Sequence, residues 1–495
     1  MLEGLLTGLS LVLQWQNILL IFAGCFAGTF IGLLPGLGPM TAIALMIPVA
    51  AGLPASSGIM VMAAVYYGAI FGGSTSAILI NAPGVASTVA TSFDGFPLTR
   101  QGQAGKALAI AALASFGGGI LGALLLLVAG SQLSGLALSF QSSDYLALIV
   151  FAMVCVSFFT AQDGVAKGLA MTLLGAALAT VGADQTQGVP RFTFGSVELL
   201  DGVSFLLLVM ATFALSEALL AIMERRSDLD MPAPKLEVEK ADIQEIAKPV
   251  ARSSILGFFI GLLPGAGATI ASLLAYGSEQ RLAPQDQRTR FGKGHLPGLA
   301  APEAANNAAA TGSFVPLLSL GIPGSGTTAV ILGALMAYGV QPGPMLQVLE
   351  PELFWSVIAS MWIGNVFLLI LNLPLIPWIA RLCAVRGVYL YPTVMMLSLM
   401  GIYLVSFNPF DLQLMVLFAV SAVVFRILGF PMAPLILGFI LGGMIEEYLA
   451  RALLIYDGQW TFLWQRPLTA FIACATFLVL ISPLLKRLWT SLRGY

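Results

Sequence analysis

Glu303, Asn306 and Asn307 stand in the stretch Ala301-Pro-Glu-Ala-Ala-Asn-Asn-Ala-Ala-Ala310, which puts a carboxylate and two amides at the mouth of an otherwise apolar run. Spaced three and four residues apart, they share one helical face, as a site for a coupling cation (sodium or a proton) would need. An acid at membrane depth is costly and marks an ion or substrate path; at the interface it would only complement a helix dipole. A second chemistry belongs to Pro35-Gly36-Leu37-Gly38 and Pro264-Gly265-Ala266-Gly267, which interrupt apolar stretches. Such breaks free backbone N–H groups and expose a half-helix N-terminus that attracts an anion. Short hydrogen-bonding side chains cluster near these and two further breaks: Thr41, then Ser74, Thr75, Ser76 and Asn81, then Thr269, then Ser325, Thr327 and Thr328. They suit carboxylate oxygens or a hard cation, although small residues also let helices approach closely. The repeated Pro-Gly-x-Gly pair predicts two halves of one substrate site, in which a Cβ at Gly38 or Gly267 would crowd the anion or oppose a positive φ.

The elements that must position these groups are membrane helices. The chain is 495 residues long, 58% hydrophobic and 9% charged, far below the charge of a soluble protein. Eleven stretches are long and apolar enough to span or nearly so: roughly 57–73, 107–130, 144–161, 164–183, 203–223, 301–320, 353–380, 389–406, 410–427, 431–448 and 467–485. Residues 18–51, 74–92, 250–278 and 323–337 are apolar but interrupted, which is tolerated at membrane depth only within protein or beside a water-filled cavity. From Glu224 to Lys248 twelve of twenty-five residues are charged. This predicts a first transmembrane half at 1–223, a charged cytoplasmic linker at 224–249 and a second half at 250–495. With the linker inside and sides alternating, all Lys and Arg except Arg191, Arg451 and Arg466 fall in the cytoplasm with the C-terminus, as the positive-inside rule requires.

The halves repeat. Gly28-Thr-Phe-Ile-Gly-Leu-Leu-Pro-Gly-Leu-Gly38 differs from Gly257-Phe-Phe-Ile-Gly-Leu-Leu-Pro-Gly-Ala-Gly267 only at Thr29/Phe258 and Leu37/Ala266. In the same order follow Gly72-Gly-Ser-Thr-Ser-Ala-Ile-Leu-Ile-Asn-Ala-Pro-Gly84 and the weaker match Gly312-Ser-Phe-Val-Pro-Leu-Leu-Ser-Leu-Gly-Ile-Pro-Gly324. Gly52 to Gly58 is uncharged while its counterpart carries Arg281, Arg288, Arg290 and Lys293; Arg100 and Lys106 face a counterpart, Tyr338 to Glu352, without Lys or Arg. Opposite charge asymmetry predicts opposite orientation. The expected fold is therefore an all-α polytopic membrane protein with two inverted structural repeats, whose discontinuous helices or re-entrant hairpins meet near the bilayer midplane, as in many secondary transporters.

Other functions are excluded or disfavoured. With 22 Lys and Arg against 24 Asp and Glu there is no basic face for nucleic acid. Glu446-Glu447-Tyr-Leu-Ala-Arg451 matches the EExxxR pattern of CAAX-type intramembrane proteases, but the intramembrane histidines these need are missing, as is an HExxH helix. Helix-end ion pairs are expected there, and the protein is read as a non-enzyme without cofactor, sodium being the one ion considered. Cys25, Cys155, Cys383 and Cys474 read as packing residues. His295, the only histidine, is expected at the solvated surface. The N-terminus shows no removable signal peptide pattern. A channel would need charged rings or a repeated filter, and two repeated halves fit alternating access better.

At these residues the chain resembles the large membrane (permease) subunit of the tripartite tricarboxylate transporter family. The carrying motifs are Gly32-Leu-Leu-Pro-Gly-Leu-Gly38, Tyr67-Gly-Ala-Ile-Phe-Gly-Gly-Ser-Thr-Ser76, Gly261-Leu-Leu-Pro-Gly-Ala-Gly267, Ala301-Pro-Glu-Ala-Ala-Asn-Asn307 and Gly321-Ile-Pro-Gly-Ser-Gly-Thr-Thr328. The resemblance implies a bacterial inner-membrane protein that works with a small membrane subunit and a periplasmic solute-binding protein. It further implies uptake of a small di- or tricarboxylate on an ion gradient without ATP, in keeping with the missing P-loop. A carrier acting without a binding protein is the alternative.

Overall fold

Only a helix or a closed barrel satisfies its own backbone in lipid, and the described apolar stretches of this chain mainly take the first course in a computed structural model. The structure describes residues 2–34, 37–81, 83–160, 165–184, 189–224, 238–265, 267–375 and 387–492. Its principal helices in chain order are α1 (Leu2–Val12), α2 (Trp15–Gly32), α3 (Pro39–Ala50), α4 (Ala55–Ile80), α5 (Val89–Arg100), α6 (Ala104–Ala137), α7 (Ser142–Thr160), α8 (Val165–Ala179) and α9 (Phe205–Met223). They continue as α10 (Lys240–Gly261), α11 (Gly267–Leu282), α12 (Leu296–Gly312), α13 (Phe314–Leu320), α14 (Gly326–Ala337), α15 (Pro351–Asn372), α16 (Gly387–Ser406), α17 (Pro409–Ile427), α18 (Met432–Ile455) and α19 (Pro467–Leu492). Eight of the described helices are long and apolar enough to cross a membrane. The chain is thus an all-α polytopic membrane protein, with a single short antiparallel pair among the described residues, Gly182–Ala183 with Pro190–Arg191.

The breaks lie close to where the glycines and prolines put them. In the stretch 74–92 the interruption falls just before Pro83-Gly84, since α4 runs unbroken to Ile80. Gly72, within α4, serves packing, because a Cβ there would run into the Thr29 carbonyl. The helix stops where Asn81 turns left-handed (φ 54) ahead of Pro83, and Asn is among the few L-residues that tolerate that region. Gly321 (φ 71) ends α13 in the same way before Pro323. Of the charged linker, 225–237 lie outside the described residues, while Lys240 to Lys248 form the first turns of α10, opened by a Glu239/Asp242 capping box.

The chain divides into two compact units, residues 1–135 with 206–424 and residues 136–205 with 425–495. In the larger unit the repeat reappears as repeated packing. On α2, a Cβ at Gly28 or Gly32 would meet the carbonyls of Val65 and Ala69 on α4; on α10, a Cβ at Gly257 or Gly261 would meet those of Ala305 and Ala309 on α12. These are equivalent positions, so each half builds the same close helix pair from small residues. The loops between elements then meet in a fixed pattern. The Tyr338 hydroxyl donates to the Ala50 carbonyl, and Gln101 Nε2 donates to Lys293 O at 2.8 Å. Likewise α3 packs on α14, whereas α11 packs on α5 and on the 86–88 turn.

In the smaller unit, α18 packs on α7 and α8, and α19 on α7. Asp144 is buried there, with Arg466 at 2.7 Å and the Thr469 hydroxyl at 2.5 Å. Glu447 pairs with Arg451 and Glu446 with Arg191 at 2.7 Å, so the expected ion pairs form, but within α18 and not at its end, since the helix continues to Ile455. Cys25 and Cys155 are buried but Cys474 is exposed, which corrects the packing assignment for the last; Cys383 lies outside the described residues.

Candidate functional site

Helix α12 carries the most polar constellation of the larger unit. Every residue from Leu296 to Gly312 is buried. Ala and Gly on its face toward α10 allow the close approach, and the polar residues are left to the other side. Its N-terminal end is held by a group the sequence did not single out. Oδ1 of Asp94, on α5, accepts from the backbone N–H groups of Lys293 (3.1 Å), Gly294 (2.8 Å) and His295 (2.8 Å), an internal carboxylate at a helix start. Gly298 leaves room for the other carboxylate oxygen. His295 is buried at this cap, not at the surface as expected; its ring packs on Phe291 at 4.8 Å and its Nδ1 stands 3.7 Å from Glu245. The sequence signal for a surface residue, neighbouring Lys293, is real, but the helix start beneath it is closed by Asp94.

Two turns further on, Glu303 is fully buried. Oε2 accepts from the hydroxyls of Ser74 and Ser115, both at 2.7 Å, and Oε1 from the Thr91 hydroxyl. Ser74 and Thr91 flank the second break of the first half, so the acid of one half is held by hydroxyls of the other. Among the described residues no Lys, Arg or His pairs with Glu303. The Asn307 amide donates to Glu303 O (3.0 Å) and to Asn306 Oδ1 (2.8 Å). The Asn306 side chain stands beside the Glu303 carboxylate, and Asn307 Oδ1 is buried without a hydrogen-bond partner, an unusual expense for an interior. Sequence reasoning joined Glu303, Asn306, Asn307 and Ser74 to function; it missed Thr91, Ser115 and Asp94.

The remaining singled-out residues are placed as follows. At the first-half second break, Ser76 (3.2 Å), Thr88 (3.2 Å) and the Gly84 N–H (3.3 Å) all donate to Gly73 O, which satisfies backbone freed by the break. Thr75 is buried and Asn81 exposed. At the second-half breaks, Gly265 (φ 83) and Gly267 (φ 56) are left-handed, and the Gly265 N–H reaches Gly324 O at 3.0 Å. Pro264 is buried and Thr269 half-buried. Ser325 and Thr328 are engaged with each other in a capping box that starts α14, and Thr327 neighbours the Tyr66 hydroxyl together with Ser313 and Ser325. Thr41 donates to Phe213 O at 3.3 Å, within the π-helical turn Met210–Leu215. Such turns leave carbonyls open to a side-chain donor and recur at functional sites.

Pro35 and Gly36 lie outside the described residues, as does Ala266. Gly38 departs from expectation: its φ of −61 is open to any residue, and a Cβ there would meet nothing within 4 Å. Only Gly267 of the two has the positive φ that favours glycine.

Against proteins already known, the chain matches the family model described as the tripartite tricarboxylate transporter TctA family over residues 18–437. It is 39% identical, over 98% of both chains, to an Agrobacterium vitis protein described as an uncharacterized 52.8 kDa protein in the TAR-I ttuC' 3' region. It is also 42% identical over 214 residues, 43% of this chain and 88% of the other, to an uncharacterized protein in the TAR-II ttuC' 3' region of the same organism. No solved structure matches.

Proposed function

The chain belongs to the TctA family of tripartite tricarboxylate transporters, and on that premise we propose that it is the permease subunit of a binding-protein-dependent secondary transporter. It takes up a small di- or tricarboxylate across a bacterial inner membrane on a sodium or proton gradient. A small membrane subunit and a periplasmic solute-binding protein work with it. The observation that carries this reading is the buried Glu303, an acid without a counter-ion among the described residues that is held by hydroxyls of the opposite half. Moving a cation onto or off such an acid changes the contact between the halves, and this is what coupling requires.

The substrate carboxylate is assigned to the broken elements, where left-handed Gly265 and Gly267 and the start of α14 beside Ser325 and Thr327 lie together, with Pro35 to Gly38 and Thr41 as the counterpart in the first half. In the inverted arrangement Gly52 to Gly58 and Tyr338 to Glu352 face the periplasm, and Arg100 to Lys106 and Arg281 to Lys293 face the cytoplasm with the C-terminus. The two halves are 1–223 and 250–495, joined by the linker at 224–249. The pairing of Ala50 with Tyr338, and of Gln101 with Lys293, supports this arrangement.

Uptake of a labelled carboxylate by cells expressing the three proteins together tests the proposal. Omission of the binding protein or collapse of the ion gradients should each abolish accumulation; accumulation that survives both would refute it.

A further inference from the structure

Beside Glu303 lies a small cavity of about 10 Å³, room for about one water-sized particle. Its polar lining consists of Ser74, Thr75, Ser115 and Asn372, all buried. Asn372 closes α15 at its C-terminal end, and its amide nitrogen donates to Leu368 O at 2.9 Å. That bond fixes which way the amide points. Its Oδ1 is buried without a hydrogen-bond partner, so a bare carbonyl dipole is presented where an apolar side chain would have cost nothing.

The hydroxyls are oriented for the same purpose. Ser115 gives its proton to Glu303 Oε2, and Ser74 does so at 2.7 Å with the Ile70 carbonyl as a weaker alternative at 3.2 Å, so the lone pairs of both hydroxyls remain available to a cation. The lining is thus a set of oxygen acceptors, with a carboxylate one bond behind it that no Lys, Arg or His of the described residues neutralises. An ionised carboxylate in that position needs a cation close by. A proton would be bound on Glu303 itself and would leave both the cavity and the Asn372 carbonyl unexplained. A dehydrated sodium ion is no larger than a water molecule and takes hard oxygen ligands of this kind.

We propose that this cavity is a sodium site, in which the oxygens of Ser74, Thr75, Ser115 and Asn372 ligate the ion and Glu303 supplies the counter-charge through Ser74 and Ser115. The inference rests on the ion-coupled reading of Glu303 and deepens it by naming the ion.

The test is direct sodium binding to the purified full chain, read by radiolabelled sodium and by thermal stabilisation in sodium against potassium or choline, with no transport required. Saturable, sodium-selective binding is expected, weakened at least about tenfold in both Asn372→Leu and Thr75→Val, roughly the loss of one ligand. The Thr75→Val change keeps shape and leaves the α15 cap untouched, so it reports even if Asn372→Leu folds poorly. The proposal is overturned if the wild-type chain binds no sodium, or if Thr75→Val or a folded Asn372→Leu binds it as tightly as the wild type. The permease reading fails separately: it would be lost if sodium bound as proposed while uptake ignored every gradient, and it would stand if uptake followed a proton gradient and no sodium bound.

Discussion

Replacing Asp94 by alanine removes the acceptor shared by three backbone N–H groups at the start of α12. The His295 donor is buried, while those of Lys293 and Gly294 are partly buried. Leaving the buried donor unpaired costs about 1–3 kcal/mol, and the two that water can reach about 0.5–1 kcal/mol each. Loss of the anion from the helix start adds about 1 kcal/mol. The sum is about 3–6 kcal/mol, a large part of a typical folding stability. Asp94→Asn keeps the shape and one carbonyl but loses the charge assistance, for about 1–2 kcal/mol. The assay is the thermal or denaturant midpoint of the purified protein in detergent, with both variants falling below wild type and alanine well below asparagine. Equal midpoints for Asp94→Ala and wild type would refute the reasoning, because they would mean that this carboxylate does not hold the helix that carries Glu303.

Close packing at equivalent positions predicts that Gly28→Ala and Gly257→Ala each destabilise by about 1–3 kcal/mol, seen as lower membrane abundance and a lower melting midpoint; wild-type behaviour in either would contradict the repeated packing. Gly267→Ala should cost about 1 kcal/mol from its left-handed backbone and reduce uptake at matched abundance, whereas Gly38→Ala should leave abundance unchanged; the reverse order would count against the backbone described for the two breaks. Burial holds the His295 imidazole below its ordinary value of 6.5, so the folded state binds fewer protons there than the unfolded state. Stability should therefore fall as pH drops below about 6.5, and His295→Gln should flatten that acid-side loss in a pH series of melting midpoints; an unchanged slope would show that the imidazole does not titrate as its burial requires.

The helices were legible because a bilayer demands long apolar runs: among the described residues each of the eleven predicted stretches falls mainly on helix, although 301–320 divides between α12 and α13 and 164–183 ends in the short strand at Gly182–Ala183. Glu303, Asn306 and Asn307 stood out because acids and amides are rare in such runs. Their partners did not, since Thr91 and Ser115 are ordinary hydroxyls on their own helices and become donors to Glu303 only through contacts separated by 212 and 188 residues. The Pro83-Gly84 break was legible because proline cannot continue a helix, whereas Gly72, inside α4, admits a neighbouring helix; the stop comes at Asn81, where left-handed geometry precedes Pro83. His295 was misplaced because its charged neighbours are adjacent in sequence, while Asp94, whose carboxylate closes the helix start at His295, comes from 201 residues away. The capping of α14 by Ser325 and Thr328 shows that a Ser/Thr cluster at a break first serves the backbone the break has freed.

The most direct test of the account compares Glu303→Gln with wild type in proteoliposomes containing all three components, measuring gradient-driven accumulation and gradient-free exchange of the same carboxylate. A cation beyond the Ser74 hydroxyl, itself 2.7 Å from Oε2, stands at about 5 Å from the charge. At an effective dielectric of about 20 that attraction is about 3 kcal/mol, roughly a hundredfold in ion affinity. Glu303→Gln should lose accumulation while exchange continues, with half-saturation by sodium raised roughly a hundredfold or beyond measurement. Accumulation in Glu303→Gln with the wild-type dependence on the ion gradient would contradict the account.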